Sequence, residues 1–229
     1  NKNNINELFD NISKSYDFLN HFLTINIDKK WRKRAIKLID NKKNIVLDIA
    51  TGTCDLAIEI IKQEKSQEVF GVDFSSKMLE IGEKKIKERN LEKRIKLFEQ
   101  DSCKLSFEDN TFDAVTVGFG VRNFYDLDSG LKQMLRVLKP NGGLVILEFS
   151  LPKNKIIRKI YEFYFFNILP RIGKMVSKNN KAYTYLPKSV ERFIYEKKNK
   201  KKLIEIGFID VEIHLQTFGI ATIYKARKG

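Results

Sequence analysis

Between residues 45 and 150, short apolar runs of strand length alternate with amphipathic stretches of helical length. Strands are expected at 45–49, 68–73, 95–99, 113–117 and 143–149, and helices at 54–64, 76–90 and 128–138. A strand that returns through a helix lies parallel to its predecessor, so this alternation dictates βαβ units and a parallel sheet. Asp109-Asn110-Thr111 marks a turn before the fourth strand and Pro140-Asn141-Gly142-Gly143 one before the fifth. Two later runs, 209–215 and 220–226, are separated only by a short link at Thr217-Phe218-Gly219. That link is too short for a crossover, so the last pair is expected to be antiparallel. The chain therefore reads as an α/β protein with a mostly parallel seven-stranded sheet.

The flanks follow different patterns. Residues 1–40 read as helices, carried by Leu8, Phe9 and Ile12, then by Trp31, Ala35, Ile36, Leu38 and Ile39. Residues 156–169 form an aromatic-rich stretch, apolar around most of its circumference, that is expected to be buried. It lies within a helical insertion, 151–187, and Lys153, Lys155, Arg158 and Lys159 at its start would suit an anionic surface. A polar section and a basic helix, 189–206, precede the final strands. One domain covering 1–229 is expected, divided into an N-terminal helical lid (1–40), a core (45–150), the insertion (151–187) and a C-terminal helix with its strand pair (188–229).

The 229 residues are 42% hydrophobic and 31% charged, as in a globular protein with a sizeable core. The net charge of +14 suits an anionic partner, phospholipid or nucleic acid, or reflects general lysine usage over the surface. Two cysteines, Cys54 and Cys103, form no disulfide framework, and two histidines, His21 and His214, suggest no metal site. No apolar run reaches the roughly 20 residues of a membrane span, so a cytoplasmic protein is expected. The chain opens on Asn, and its true start is expected upstream.

The turn in 45–56 (Ile-Val-Leu-Asp-Ile-Ala-Thr-Gly-Thr-Cys-Asp-Leu) narrows the ligand. Thr51, Gly52 and Thr53 let a ligand approach main-chain N–H groups at the next helix's start. Neither a dinucleotide fingerprint nor a P-loop is present. Instead Asp48 precedes Gly52, and Asp73 ends the second strand, where an acid suits ribose hydroxyls. Asp48 suits an ammonium group. The pair favours S-adenosylmethionine, which has a ribose and an amino-acid tail but no phosphate. Two surface acids beside an ordinary α/β turn are the bland alternative.

Three further segments are more restrictive. They are Tyr16-Asp17-Phe18-Leu19-Asn20 leading to Trp31; 112–123, ending Gly118-Phe119-Gly120-Val121-Arg122-Asn123; and Arg136-Val137-Leu138-Lys139-Pro140, running on to Leu147-Glu148-Phe149-Ser150. With the opening turn, these resemble the menaquinone/ubiquinone biosynthesis C-methyltransferase family over essentially the whole chain. Leu169-Pro170-Arg171-Ile172-Gly173 and Tyr183-Thr184-Tyr185-Leu186 add to the likeness.

The resemblance implies a Rossmann-like class I fold with N-terminal helices and a helical insertion before the last strands. It also implies S-adenosylmethionine-dependent methylation of a ring carbon in a polyprenylated benzoquinol or naphthoquinol. It places cofactor contacts at Gly52, Thr53, Asp73, Asp101, Ser102 and Gly118, the last beside the methyl-bearing sulfur. Met78 would cover the adenine or serve simply as helix core. Arg122 would stabilise a phenolate, with Asn123 helping to hold a water and Tyr16 orienting the ring oxygen. No metal is implied. A membrane-peripheral position at the inner face is expected, and a homodimer and association with other quinone-pathway enzymes both stay open.

Departures stand out. Cys54 replaces a usual Gly on the helix opening beside the adenosine, where its side chain must fit in the place of a hydrogen, so a change in cofactor affinity or in local backbone geometry is expected. Asp28 replaces a common His and is not read as catalytic; Leu19 replaces Met, and Asn141 a Gly, where Asn tolerates positive φ. A nucleic-acid methyltransferase is disfavoured: the fourth strand runs into Gly-Phe-Gly-Val-Arg-Asn, not an Asx-Pro-Pro-aromatic loop, and neither cysteine follows a proline. A scaffold that has lost turnover is the remaining alternative.

Overall fold

The computed structural model describes Thr24 and residues 26–40, 43–168 and 196–229. Tyr16, Asp17, Leu19 and Asn20 lie outside these, as does most of the expected insertion beyond residue 168.

Seven strands make one sheet in the order β3-β2-β1-β4-β5-β7-β6. They are β1 (Lys43–Ile49), β2 (Ser66–Asp73), β3 (Ile95–Glu99), β4 (Phe112–Gly118), β5 (Leu138–Phe149), β6 (Phe208–Gln216) and β7 (Ala221–Lys228). The first five pair in parallel, and β7 runs antiparallel to both β5 and β6. Six α-helices are described: α1 (Ile27–Lys37), α2 (Asp55–Lys62), α3 (Ser76–Glu88), α4 (Leu127–Val137), α5 (Lys155–Phe163) and α6 (Glu196–Ile206).

The central strands are apolar in unbroken runs because both their faces are covered. Val46 of β1, Val145 and Leu147 of β5 and Ile223 of β7 pack with Trp31, Ile36, Ile60 and Ile86 on the side of α1, α2 and α3. Leu47 and Ile49, Val115 and Val117, and Leu144 and Ile146 face the other way, onto Leu131 and Met134 of α4 and Leu203 of α6. Helix starts are set by side-chain caps: Ser75 accepts from the Met78 N–H, Asp126 from that of Ser129, and Asn154 from those of Ile156 and Ile157.

Two expectations need correction. The Pro140–Gly143 turn does not precede the fifth strand but lies inside it. Phe112 pairs with Leu138 and Ala114 with Gly143, so residues 139–142 bulge out opposite Asp113 alone. Asn141 there takes φ 61°, and a Cβ on Gly142 would meet the Lys139 carbonyl oxygen at 2.7 Å. A Lys139–Asp113 ion pair at 2.8 Å pins the bulge. The aromatic-rich stretch, expected to be buried, forms α5 and a π-turn (Tyr164–Ile168), with Tyr161 buried and Ile156, Ile160 and Phe163 exposed. Within α5 and the residue after it, Ile157, Tyr161 and Tyr164 turn inward as one row, the stripe by which the helix lies on the core.

Candidate active site

The chain leaves β1 through a turn of alternating handedness. Ala50, Gly52 and Cys54 take φ of 52°, 54° and 69°. Glycine adopts this region freely, but each non-glycine residue there costs roughly 1–2 kcal/mol. Such turns aim backbone N–H groups into an anion-binding hollow. Here the anion is the Asp73 side chain: its Oδ2 accepts from the Gly52 N–H at 2.8 Å and its Oδ1 from that of Ser75 at 3.0 Å. One carboxylate thus ties the β1 turn to the β2 turn and fixes its own orientation.

Asp48 lies beneath this turn. It is fully buried, accepting from Thr116 Oγ1 at 2.6 Å and Thr51 Oγ1 at 2.7 Å. Burial pushes its carboxyl up to about 6, against the pull of those two hydroxyls. Thr53 is turned toward α3, where Lys85 Nζ donates to its hydroxyl at 3.0 Å and pairs with Asp55 at 2.7 Å.

Cys54 does not crowd the adenosine side. Its thiol points at α3, where a Cβ on Gly82 would lie 2.3 Å from Sγ. The large residue at one position is matched by the small one at the other. Burial pushes the Cys54 thiol well up, so it stays protonated.

Beyond the turn, the ends of β1 to β4 enclose a cleft of about 680 Å³, counting its solvent-open mouth. Gly52, Asp73, Met78, Asp101, Ser102, Gly118 and Asn123 line it, together with Phe74, Phe119 and Tyr125. Asp101 accepts from the Cys103 N–H at 2.9 Å, which orients it. A carboxylate at the β2 end, another after β3, and the apolar surfaces of Met78 and Phe74 suit a ribose, an amino-bearing base and its flat face. The donor set fits an adenosine without phosphate. Asp48, Thr53 and Arg122 do not line the cleft.

Arg122 stands one residue behind the wall, in a 3₁₀ turn (Val121–Asn123) after β4. Its Nη1 donates to Glu148 Oε1 and to the Phe119 carbonyl, both at 2.5 Å, and its side chain is nearly buried. Glu148 also accepts from the N–H groups of Arg122 and Phe149. The cation expected at Arg122 is one half of a buried ion pair, because an uncompensated charge at this depth would be too costly. Arg122 also lies 5.4 Å over the Phe149 ring, and Arg32 lies 5.5 Å over that of Phe119. The two rings stack 4.5 Å apart, and Trp31 of α1 packs on both. Two cations thus bracket an aromatic trio that joins α1 to the carboxyl edge of the sheet. Asp28, which pairs with Arg32 and accepts from Thr24 at 2.6 Å, is a buried structural acid.

The sequence reading missed Glu148 as a partner for Arg122. The signal was present: a single acid in the run Leu144-Val145-Ile146-Leu147-Glu148-Phe149 must find a cation if buried. Phe119 and Phe149 carried no distinguishing spacing.

The profile of the ubiE/COQ5 methyltransferase family matches residues 1–228. A demethylmenaquinone methyltransferase of Bacteroides fragilis is 40% identical over 225 residues, 98% of this chain and 92% of that one. A ubiquinone/menaquinone biosynthesis C-methyltransferase UbiE of Geobacter sulfurreducens is 44% identical over 227 residues, 98% and 88% respectively. Among solved structures, a putative S-adenosyl-L-methionine-dependent methyltransferase from Methanococcus maripaludis superposes with a TM-score of 0.66 at 26% identity, covering 94% of this chain and 91% of that one. With that profile spanning the chain and those relatives at 40% and 44% identity, the chain belongs to the ubiE/COQ5 methyltransferase family.

Proposed function

We propose that the ring methylated is a polyprenylated naphthoquinol, converting a demethylmenaquinol to a menaquinol, and that Arg122, Asn123 and Glu148 form the catalytic edge. Membership of the family makes the chain an S-adenosylmethionine-dependent C-methyltransferase of quinone biosynthesis. The observation that supports the proposed site is the cleft itself, whose carboxylates end β2 and follow β3 while Asn123 closes the wall beside the buried Arg122–Glu148 pair.

When bound, S-adenosylmethionine supplies a methyl group already activated by its sulfonium. Asp73 and Asp101 orient the ribose and the adenine, and Gly118 leaves room at the reacting end. The ring carbon becomes a strong nucleophile when the neighbouring hydroxyl is deprotonated. Arg122, held by Glu148 and the Phe119 carbonyl, offers a preorganised guanidinium to the phenolate oxygen. The hydroxyl proton passes to a water held at Asn123 and on to solvent. The ring carbon's own proton leaves the same way after the new carbon–carbon bond forms, and the rearomatised phenolate oxygen takes one proton back from solvent to give the methylated quinol. Tyr16, outside the described residues, is proposed to orient the ring oxygen.

An Arg122→Ala enzyme is expected to bind S-adenosylmethionine normally by titration calorimetry and to turn over about 100-fold or more slowly. Because its loss strands buried Glu148, Arg122→Lys is the companion variant: it keeps the charge and should lose about tenfold. Undiminished turnover in Arg122→Lys and Arg122→Ala would remove the role. Mass spectrometry of quinones accumulating in a deletion strain tests the ring; a build-up of a demethylated benzoquinol alone would move the reading to the other substrate. Among the described residues no helix is long and apolar enough to cross a membrane. A cytoplasmic enzyme, peripheral at the inner face of the membrane, goes with a substrate whose isoprenoid tail keeps it in the bilayer.

A further inference from the structure

We propose that the outer stripe of α5, Ile156, Ile160 and Phe163 with Lys155 and Lys159 beside it, is a docking surface for an anionic phospholipid bilayer. The proposal rests on the reading that the substrate carries a membrane-embedded tail, and names the surface by which the enzyme reaches it.

Ile156, Ile160 and Phe163 are 71%, 66% and 60% exposed. Their spacing of four and three residues aligns them on one side of the helix. The inward row of Ile157, Tyr161 and Tyr164 lies next to them, so the helix is apolar over a wider arc than the core covers. Water is left on the surplus. On the other flank of the exposed stripe stand Lys155 and Lys159, both exposed, with Lys153 and Arg158 nearby. The single acid of the helix, Glu162, is paired with Arg158 at 2.7 Å. An apolar stripe edged by lysines is the pattern of a helix lying in a bilayer interface, with side chains among acyl chains and ammonium groups at anionic headgroups. The basic flank sets lipid ahead of a neutral protein groove.

Placement agrees. Helix α5 starts five residues after β5 ends, at the sheet edge that holds Glu148. Tyr161 of α5 lies in the same buried cluster as Phe119 and Phe149, the rings beside the Arg122–Glu148 pair, so the helix packs against the catalytic edge. A ring drawn from the bilayer at α5 has a short path to Arg122.

The test is flotation of the full chain with phosphatidylcholine vesicles, with and without phosphatidylglycerol. Binding to the phosphatidylglycerol vesicles is expected, falling with salt. The double variant Ile160→Glu/Phe163→Glu should bind at least about tenfold more weakly. Lys155→Glu/Lys159→Glu should lose about twentyfold or more on anionic vesicles, since each lysine near such a surface contributes about fivefold. All these side chains are exposed, so both variants are expected to fold and to methylate a water-soluble short-tailed quinol as the parent does. Wild-type binding by both variants would overturn the proposal. So would a concentration-dependent dimer that Ile160→Glu/Phe163→Glu abolishes without any vesicle binding, which would assign the stripe to a second copy. Vesicle binding with the expected losses but no quinol turnover would uphold the surface and remove the substrate reading instead.

Discussion

Asp48 is a carboxylic acid whose ionisation burial opposes. Its carboxyl is raised from an ordinary 3.8 to about 6 because burial outweighs the hydroxyls of Thr116 and Thr51. The folded protein therefore binds more protons at this site than the unfolded chain between those two values, and stability from this group is lost as pH rises through the window. The displacement corresponds to about 3 kcal/mol. Asp48→Asn should gain stability relative to the parent from pH 4 to pH 7, read as the difference in urea midpoints, and a flat difference would contradict the burial argument. Asp73 has a different standing, its carboxylate held at the cleft by the N–H groups of Gly52 and Ser75. Asp73→Ala is expected to weaken S-adenosylmethionine at least about tenfold by calorimetry and to loosen the β1 turn. The two acids looked alike in the sequence, each at a strand's carboxyl end. What separates them is depth along the strand: Asp48 lies inside β1 between β2 and β4, whereas Asp73 ends β2 at the cleft, and that depth is set only once the sheet has formed.

Elements were more legible than their contacts. Strands and helices fell within a few residues of expectation wherever apolar period and capping residues agreed, as at Ser75 before α3 and Asp126 before α4. Legibility failed where a long-range neighbour mattered. The β5 bulge depends on Asp113 of β4, and the exposed stripe of α5 depends on how little core it meets. Cys54 was the sharpest case: its meaning is set by Gly82, twenty-eight positions away on α3. Gly82→Ala should destabilise by about 1–3 kcal/mol through overpacking on the thiol. Adding Cys54→Ala should restore at least about 1 kcal/mol, since a Cβ at 82 would lie an ordinary 3.5 Å from that of residue 54. Additive losses in the two unfolding midpoints would show that the two side chains do not meet.

The whole molecule carries +14, an excess spread over many lysines and arginines, several of which also pair across elements: Lys202 with Asp128, Lys225 with Asp40, Arg136 with Asp109. Net charge thus says little by itself about a partner, and α5 stands out through its apolar stripe rather than its lysines alone. Cofactor binding ties the turns of β1 to β3 to global stability. S-adenosylmethionine at about 100 times its dissociation constant should raise the unfolding free energy by about 2.7 kcal/mol, and an unchanged melting temperature would argue against a native-state site.

The sheet also has a temporal order. In space β7 stands between β5 and β6, yet it follows β6 in the chain. While the protein is being synthesised, β6 therefore emerges with no strand to pair, and β5 keeps an open edge facing it. Both wait for the same few residues. A ribosome that pauses just before β7 would hold a nascent chain with two unsatisfied strand edges, and the cofactor half of the molecule would be assembled while its other half is still exposed to chaperones and proteases.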